Sequence, residues 1–137
     1  MRLIGFNFDK ISVERLKDKV EGLKITTNID ISDIKEIKSE ILKTKEELVQ
    51  VKFFYTVNYE PDFAKVDLKG TVLLSMEEKQ AKDIFKEWKK KKMPEDFRMA
   101  LFNIILRKAA TKSLNLEDEM NLPLHIPLPS LRQAKEK

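Results

Sequence analysis

The chain has no cysteine, which excludes disulfides, thiol catalysis and any cysteine-ligated zinc or iron–sulfur site. Its single histidine, His125, cannot supply a histidine-rich metal site within one chain, and flanked by prolines it reads as a structural residue. Its three glycines, Gly5, Gly22 and Gly70, are isolated, so neither a dinucleotide fingerprint nor a phosphate-cradling loop can be assembled from them. No uncharged run approaches the roughly 18 residues of a membrane span, and Met1–Phe8 is not a charged stretch followed by a long apolar one. The expectation is a protein neither exported by a classical signal nor integral to a membrane, residing in the cytoplasm.

What is present is the composition of a globular domain. Over 137 residues, 42% are hydrophobic and 36% charged, enough apolar material for one core and too short a chain for two. We therefore expect a single domain over residues 1–137. Lysine and arginine number 27 against 23 acids, a net charge of +4, which permits attraction to nucleic acid or acidic surfaces without requiring it. The preference for Lys, Glu and Ile over Gln and Cys is a bias of hyperthermophiles, shared with AT-rich mesophiles, and points towards a thermophile.

The first half alternates as strands do. Ile4, Phe6 and Phe8 fall on one face, Asp9-Lys10 interrupts the pattern, and Ile11 and Val13 resume it, which predicts a strand with a bulge. After a charged connection at Arg15–Lys19, Lys24–Ser32 places Ile25, Thr27, Ile29 and Ile31 on one face of a half-buried strand. Ser32–Leu42 mixes helical spacing with isoleucine enrichment and reads as a short crossing segment. Val49, Val51, Phe53, Tyr55, Val57 and Tyr59 then give the strongest period-two series. Glu60-Pro61-Asp62 has turn chemistry, and Ala64–Leu74 alternates again, so the two segments form an antiparallel hairpin.

The second half is helical and then extended. Ser75-Met76-Glu77-Glu78 has the form of a capping box ahead of Ala81, Ile84, Phe85 and Trp88, an amphipathic helix expected to end near Met93. Pro94, with Glu95 and Asp96 behind it, opens a second helix to about Ser113. This helix is apolar nearly all round, with a narrow polar stripe at Asn103, Arg107, Lys108 and Thr111, and so needs cover on two sides. Glu117, Asp118 and Glu119 lack the ligand spacing of a calcium loop and read as a surface turn. The prolines of Asn121–Leu131 exclude a helix there and predict an extended arm on an apolar surface, with Arg132–Lys137 frayed.

Catalytic signals are absent: no nucleophile, base or acid pair stands at a working spacing, so no enzyme activity, metal or cofactor is expected. Two surfaces remain. One is surplus apolar area, for which Leu48, Phe53, Phe54, Tyr55, Tyr59, Met99, Phe102 and Leu106 are the candidate residues, serving a polypeptide groove or a contact between subunits. The other is the basic cluster Lys86, Lys89, Lys90, Lys91 and Lys92 around Trp88, which could grip phosphates and stack a base. The plainer reading of that cluster is lysines complementing a helix dipole beside a core tryptophan.

The succession of a bulged strand, a second strand, a crossing segment, a long hairpin, two helices and a Leu/Pro-rich tail resembles the SecB family of export chaperones and their SecB-like relatives. The stretches that carry the likeness are Leu23–Ser32, Glu47–Ser75 and Pro94–Leu116 leading into Asn121–Leu128. The resemblance implies an α+β fold, a four-stranded antiparallel sheet followed by two helices packed on it. The residue patterns above place the strands in residues 1–75, the helices in 76–113 and the arm in 114–137. The resemblance also implies dimers or tetramers and ATP-independent holding of unfolded or extended polypeptide. The basic charge and the proline-rich tail depart from the export chaperones and favour a SecB-like holdase over an export factor.

Overall fold

The computed structural model describes residues 1–38 and 46–131. Four strands, β1 (Arg2–Arg15), β2 (Lys24–Ile37), β3 (Glu46–Glu60) and β4 (Ala64–Glu77), precede two helices, α1 (Glu78–Trp88) and α2 (Glu95–Glu119). The sheet is antiparallel throughout, in the order β1-β4-β3-β2, with the β3–β4 hairpin at its centre. Leu16–Leu23 carries the chain from one edge to the other past the hairpin tip, where the Leu16 N–H donates to the Phe63 carbonyl at 2.8 Å. No helix among the described residues is long and apolar enough to cross a membrane.

One face of the sheet holds the core. Val49, Val51, Phe53, Tyr55, Val57 and Tyr59 of β3 and Val66, Leu68, Val72 and Leu74 of β4 are all buried, as period-two alternation requires of a covered face. The bulge expected at Asp9 is present: the β1–β4 register shifts between Phe8 and Lys10, and the Asp9 carboxylate accepts from Thr71 Oγ1 at 2.6 Å and Asn7 Nδ2 at 2.7 Å. Gly70 faces Phe53 across the ladder, and a Cβ there would run into that ring and approach the Asn7 carbonyl to 2.7 Å. Its lack of a side chain leaves room for the Phe53 ring, which sits beside Phe6 with centroids 5.3 Å apart and planes tilted by 33°.

Several boundaries differ from the sequence reading. Ser32–Ile37 continues β2 beyond a register shift between Ile31 and Asp33, and residues 39–42 of the expected crossing segment lie outside the described residues. Ser75 is not a helix cap. Its backbone pairs with Leu48 in the ladder and its hydroxyl donates to the Glu46 carboxylate, so the strand runs on to Glu77 and α1 starts without a side-chain cap. Ladder bonds on both sides of β4 outweigh the single bond that a cap supplies. α1 stops at Trp88 because Lys91 adopts a left-handed φ of 60°, with Lys92 N–H bonding back to Glu87 O and Lys91 N–H to Trp88 O, the Schellman closure.

α2 continues past Ser113 to Glu119 and ends by the same device: Asn121 has φ 54°, and the Leu122 and Asn121 N–H groups bond to Glu117 O and Asp118 O. This corrects the surface turn expected at Glu117–Glu119, since Glu117 is 0% exposed inside the helix while Asp118 and Glu119 face solvent. The frayed end expected at Arg132–Lys137 lies outside the described residues.

Candidate functional site

α2 packs over β4 and β3 and roofs the middle of the core face. Phe97, Leu101, Ile105 and Ala109 point into the core and are buried. Away from the core, Met99 is 56% and Leu106 39% exposed; between them Phe102 is half-buried, packed on the margin of the core with its ring centroid 5.0 Å from the Arg98 guanidinium. The three recur at helical spacing and make one outward apolar stripe. The helix's cover is thus incomplete within the subunit.

Of the other residues named from the sequence, Phe53, Tyr55 and Tyr59 sit at 2% exposure or less within the core and offer no surface. Phe54 and Leu48 lie on the opposite face. There Leu48 is buried, and Lys69 Nζ stands 5.3 Å from the Phe54 ring centroid. The edge strand β1 adds apolar surface the sequence reading did not single out: Leu3, Ile4 and Ile11 are 42%, 43% and 47% exposed. An edge strand with a free row of backbone groups can pair, and here Arg2, Asp9, Lys10, Glu14, Arg15 and the bulge at Asp9 guard it except where these aliphatics stand open.

The sequence reading also missed a buried polar brace that ties the C-terminal arm to the core. The Glu117 carboxylate accepts from His125 Nδ1 at 2.7 Å, from the His125 backbone N–H at 2.8 Å and from the Ser113 hydroxyl. His125 Nε2 meets the Tyr55 hydroxyl at 2.7 Å, and the Tyr59 hydroxyl donates to the Pro123 carbonyl at 2.6 Å. Arg15 closes the end of α2 by donating to the Met120 and Asn121 carbonyls at 2.8 and 3.0 Å. Burial alone would push the Glu117 carboxyl up, but the bonds from the His125 ring, Ser113 and the His125 N–H together hold it below its ordinary value. Burial, and then the nearby Glu117 charge, push the Tyr55 phenol up to about 12, so it keeps its proton. Tyr59 is raised for the same reasons.

This set resembles a catalytic relay in composition but not in access. The His125 and Glu117 side chains are 2% and 0% exposed, and both ring nitrogens already have partners, so no substrate atom can reach the imidazole. It is a structural brace. The signal for it lay in the sequence as Ser113 and Glu117 one helical turn apart, followed by the helix stop Asn121-Leu122-Pro123. Beyond His125 the arm is open to solvent, with Leu128 58% exposed.

In the basic cluster, Lys86 lies in the last turn of α1 and Lys89, Lys90, Lys91 and Lys92 are exposed just beyond it. Trp88 is half-buried against the core, and Lys91 Nζ stands 5.0 Å from its ring centroid, so a neighbouring cation already occupies one face of the indole. Among the described residues there is no group of three or more histidines and acids able to hold a metal ion.

A last opening lies between β1 and α2, a groove of about 700 Å³ lined by Phe8, Arg107, Lys108, Thr111, Lys112 and Asn115. With the strand order, both helices and these surfaces in place, the chain superimposes on the SecB-like chaperone Rv1957 of Mycobacterium tuberculosis, solved in complex with a ChAD peptide from the Rv1956 HigA1 antitoxin. The fold is SecB-like. The alignment spans 98% of this chain and 92% of that one, with a TM-score of 0.50 and 12% sequence identity, so the likeness is one of architecture. No protein-family model and no curated protein matches the sequence.

Proposed function

We propose that the protein is a non-enzymatic, ATP-independent holdase that binds apolar, extended polypeptide and works as a homo-oligomer, dimer or tetramer. The observation that carries this reading is the outward stripe of Met99 and Leu106 on α2, with the half-buried Phe102 between them, apolar surface that its own subunit covers only in part. Isolated exposed aliphatics are ordinary, but a stripe at helical spacing on the roof of a core is a surface built for contact. That a SecB-like chaperone of the same fold was solved with a bound peptide supports the choice of ligand. Leu3, Ile4 and Ile11 on the free edge of β1 support assembly between copies.

Light scattering of a chemically denatured client, diluted with and without the protein, tests the holdase reading. Suppressed aggregation at a several-fold excess is expected, and aggregation unchanged at that ratio refutes it. Sedimentation of a Leu3→Lys, Ile11→Lys variant tests assembly, with a smaller species expected and an unchanged mass ruling out the β1 edge. Nucleic-acid binding through Lys86–Lys92 is the weaker reading, because those lysines complement the C-terminal dipole of α1 and Trp88 is engaged by the core and by Lys91.

A further inference from the structure

We propose that the groove between β1 and α2 takes an extended client segment in which acidic residues alternate with apolar ones. This rests on the polypeptide-binding reading above and adds the chemistry of the segment. The groove is lined by one aromatic, Phe8, and by three cations, Arg107, Lys108 and Lys112, with Thr111 and Asn115; no carboxylate lines it.

The helix itself does not account for these cations. Lysines at a helix C-terminus complement its dipole, but these precede the last turn of α2, which holds no basic residue. Three and four residues away, Arg107 meets Asn103, Ile104, Ala110 and Thr111, and Lys112 meets Lys108, Ala109, Asn115 and Leu116. Lys108 meets Ile104, Ile105, Thr111 and Lys112. No acid is among them, and Lys108 with Lys112 is a like-charge pair, an arrangement that weakens a helix. Two other helical cations are paired, Lys82 with Glu78 at 2.9 Å and Arg98 with Glu95 at 3.6 Å, while among the described residues Lys79 and Lys86 of α1 stand singly in solvent. Among the described residues, none of the three groove cations is within ion-pair distance of a carboxylate. Three unmatched cations along one wall, with Phe8 on the other, complement an anion brought by a partner.

Spacing selects the form of that anion. Lys108 and Lys112 are separated by about 6 Å of helix rise at 1.5 Å per residue. Side chains on one face of an extended chain recur every two residues, about 6.6 Å. Carboxylates at positions i and i+2 of such a chain therefore stand opposite Lys108 and Lys112, and residue i+1 turns towards the other wall, where Phe8 supplies apolar surface. The Phe8 ring is fixed edge-to-face against Phe6 at 5.2 Å and Phe53 at 6.4 Å, which suits a small apolar side chain better than a stacked base.

The test uses the full chain and three labelled peptides of equal length, repeats of glutamate-leucine, lysine-leucine and serine-leucine, titrated by fluorescence anisotropy at low and raised salt. At low salt the glutamate peptide should bind about tenfold or more tightly than the lysine peptide, and added salt should shrink the ratio. Lys108→Glu combined with Lys112→Glu should reverse the order while leaving the circular dichroism spectrum unchanged; Lys108→Gln with Lys112→Gln, expected to abolish the preference, serves if the charge reversal unfolds the chain. Equal binding of all three peptides overturns this inference and leaves the polypeptide reading standing. Binding of none removes both. A preference unmoved by either pair of substitutions, or ready displacement of the glutamate peptide by a single-stranded oligonucleotide, also overturns it, the latter by assigning the groove to phosphates.

Discussion

Replacing Glu117 with alanine strands three donors at once: His125 Nδ1–H, the His125 backbone N–H and the Ser113 hydroxyl. Each buried polar group left without a partner costs about 1–3 kcal/mol. Ser113 can turn to the carbonyl one turn back, and water can enter the space vacated, so the low end applies: about 3 kcal/mol, or roughly 10 °C in thermal midpoint for a domain of this size. Glu117→Gln keeps one oxygen for the His125 donors, loses the charge and turns an NH2 donor towards the Ser113 hydroxyl, which must then accept; about 1–2 kcal/mol is expected. Glu119→Ala, on the exposed side of the same turn, should change stability by no more than about 0.5 kcal/mol. Denaturant unfolding followed by circular dichroism at fixed protein concentration measures all three, and limited proteolysis of the arm reports its release. A Glu117→Ala loss no larger than that of Glu119→Ala would refute the claim that this carboxylate anchors the arm.

Three further outcomes follow from the same geometry. Gly70→Ala should cost about 1–3 kcal/mol in denaturant unfolding, because its methyl group meets the Phe53 ring and the Asn7 carbonyl; no loss would mean the sheet can yield there. Met99→Glu with Leu106→Glu should abolish client holding in light scattering and leave unfolding within about 1 kcal/mol of the parent, since both side chains face outward. The brace should also write itself into the pH dependence of stability. The folded Glu117 carboxyl lies below 4.5, so its contribution is complete above that pH and is lost as pH falls through the folded value; the gap between parent and Glu117→Gln should close in acid. For Tyr55, raised from 10 to about 12, the contribution is complete below pH 10 and lost as pH climbs towards 12, a shift that tyrosinate absorbance of a Tyr55→Phe pair resolves.

The central hairpin was legible in the sequence because its face is covered, so burial shows as alternation over Val49–Tyr59 and again over Ala64–Leu74 on either side of the turn. The Asp9 bulge was legible for the same reason, as a break in an alternating series. Helix ends were less so. Ser75 carries cap chemistry, yet long-range pairing with Leu48 decides its conformation, and no local window contains that partner. The end of α2 was written locally in Asn121, but apolar density, which thins after Ala110, pointed to Ser113 instead. The candidate surface divided in the same way. Periodicity puts Met99, Phe102 and Leu106 on one stripe, whereas the fate of Phe53, Tyr55 and Tyr59 depended on which sheet face the helices would cover. Glu117 was hidden because a buried acid is intelligible only beside its partner, and His125 stands in a different element.

α2 gathers the fold's stability and its candidate binding surfaces on separate faces of one helix. Phe97, Leu101, Ile105 and Ala109 hold the core, and Ser113 and Glu117 pin the arm. Met99 and Leu106 look outward, and Arg107, Lys108 and Lys112 line the β1 flank. Side chains on different faces share few partners, so their substitutions should act nearly additively. A change at Lys108 and Lys112 then alters the charge of the groove without loosening the brace, and Glu117→Gln loosens the brace without altering the groove. Crossing the two sets in one double-variant series makes the separation measurable. If loss of the brace also erased the charge preference for clients, the arm and the groove would have to be a single device, and the assignment of faces made from burial alone would be wrong.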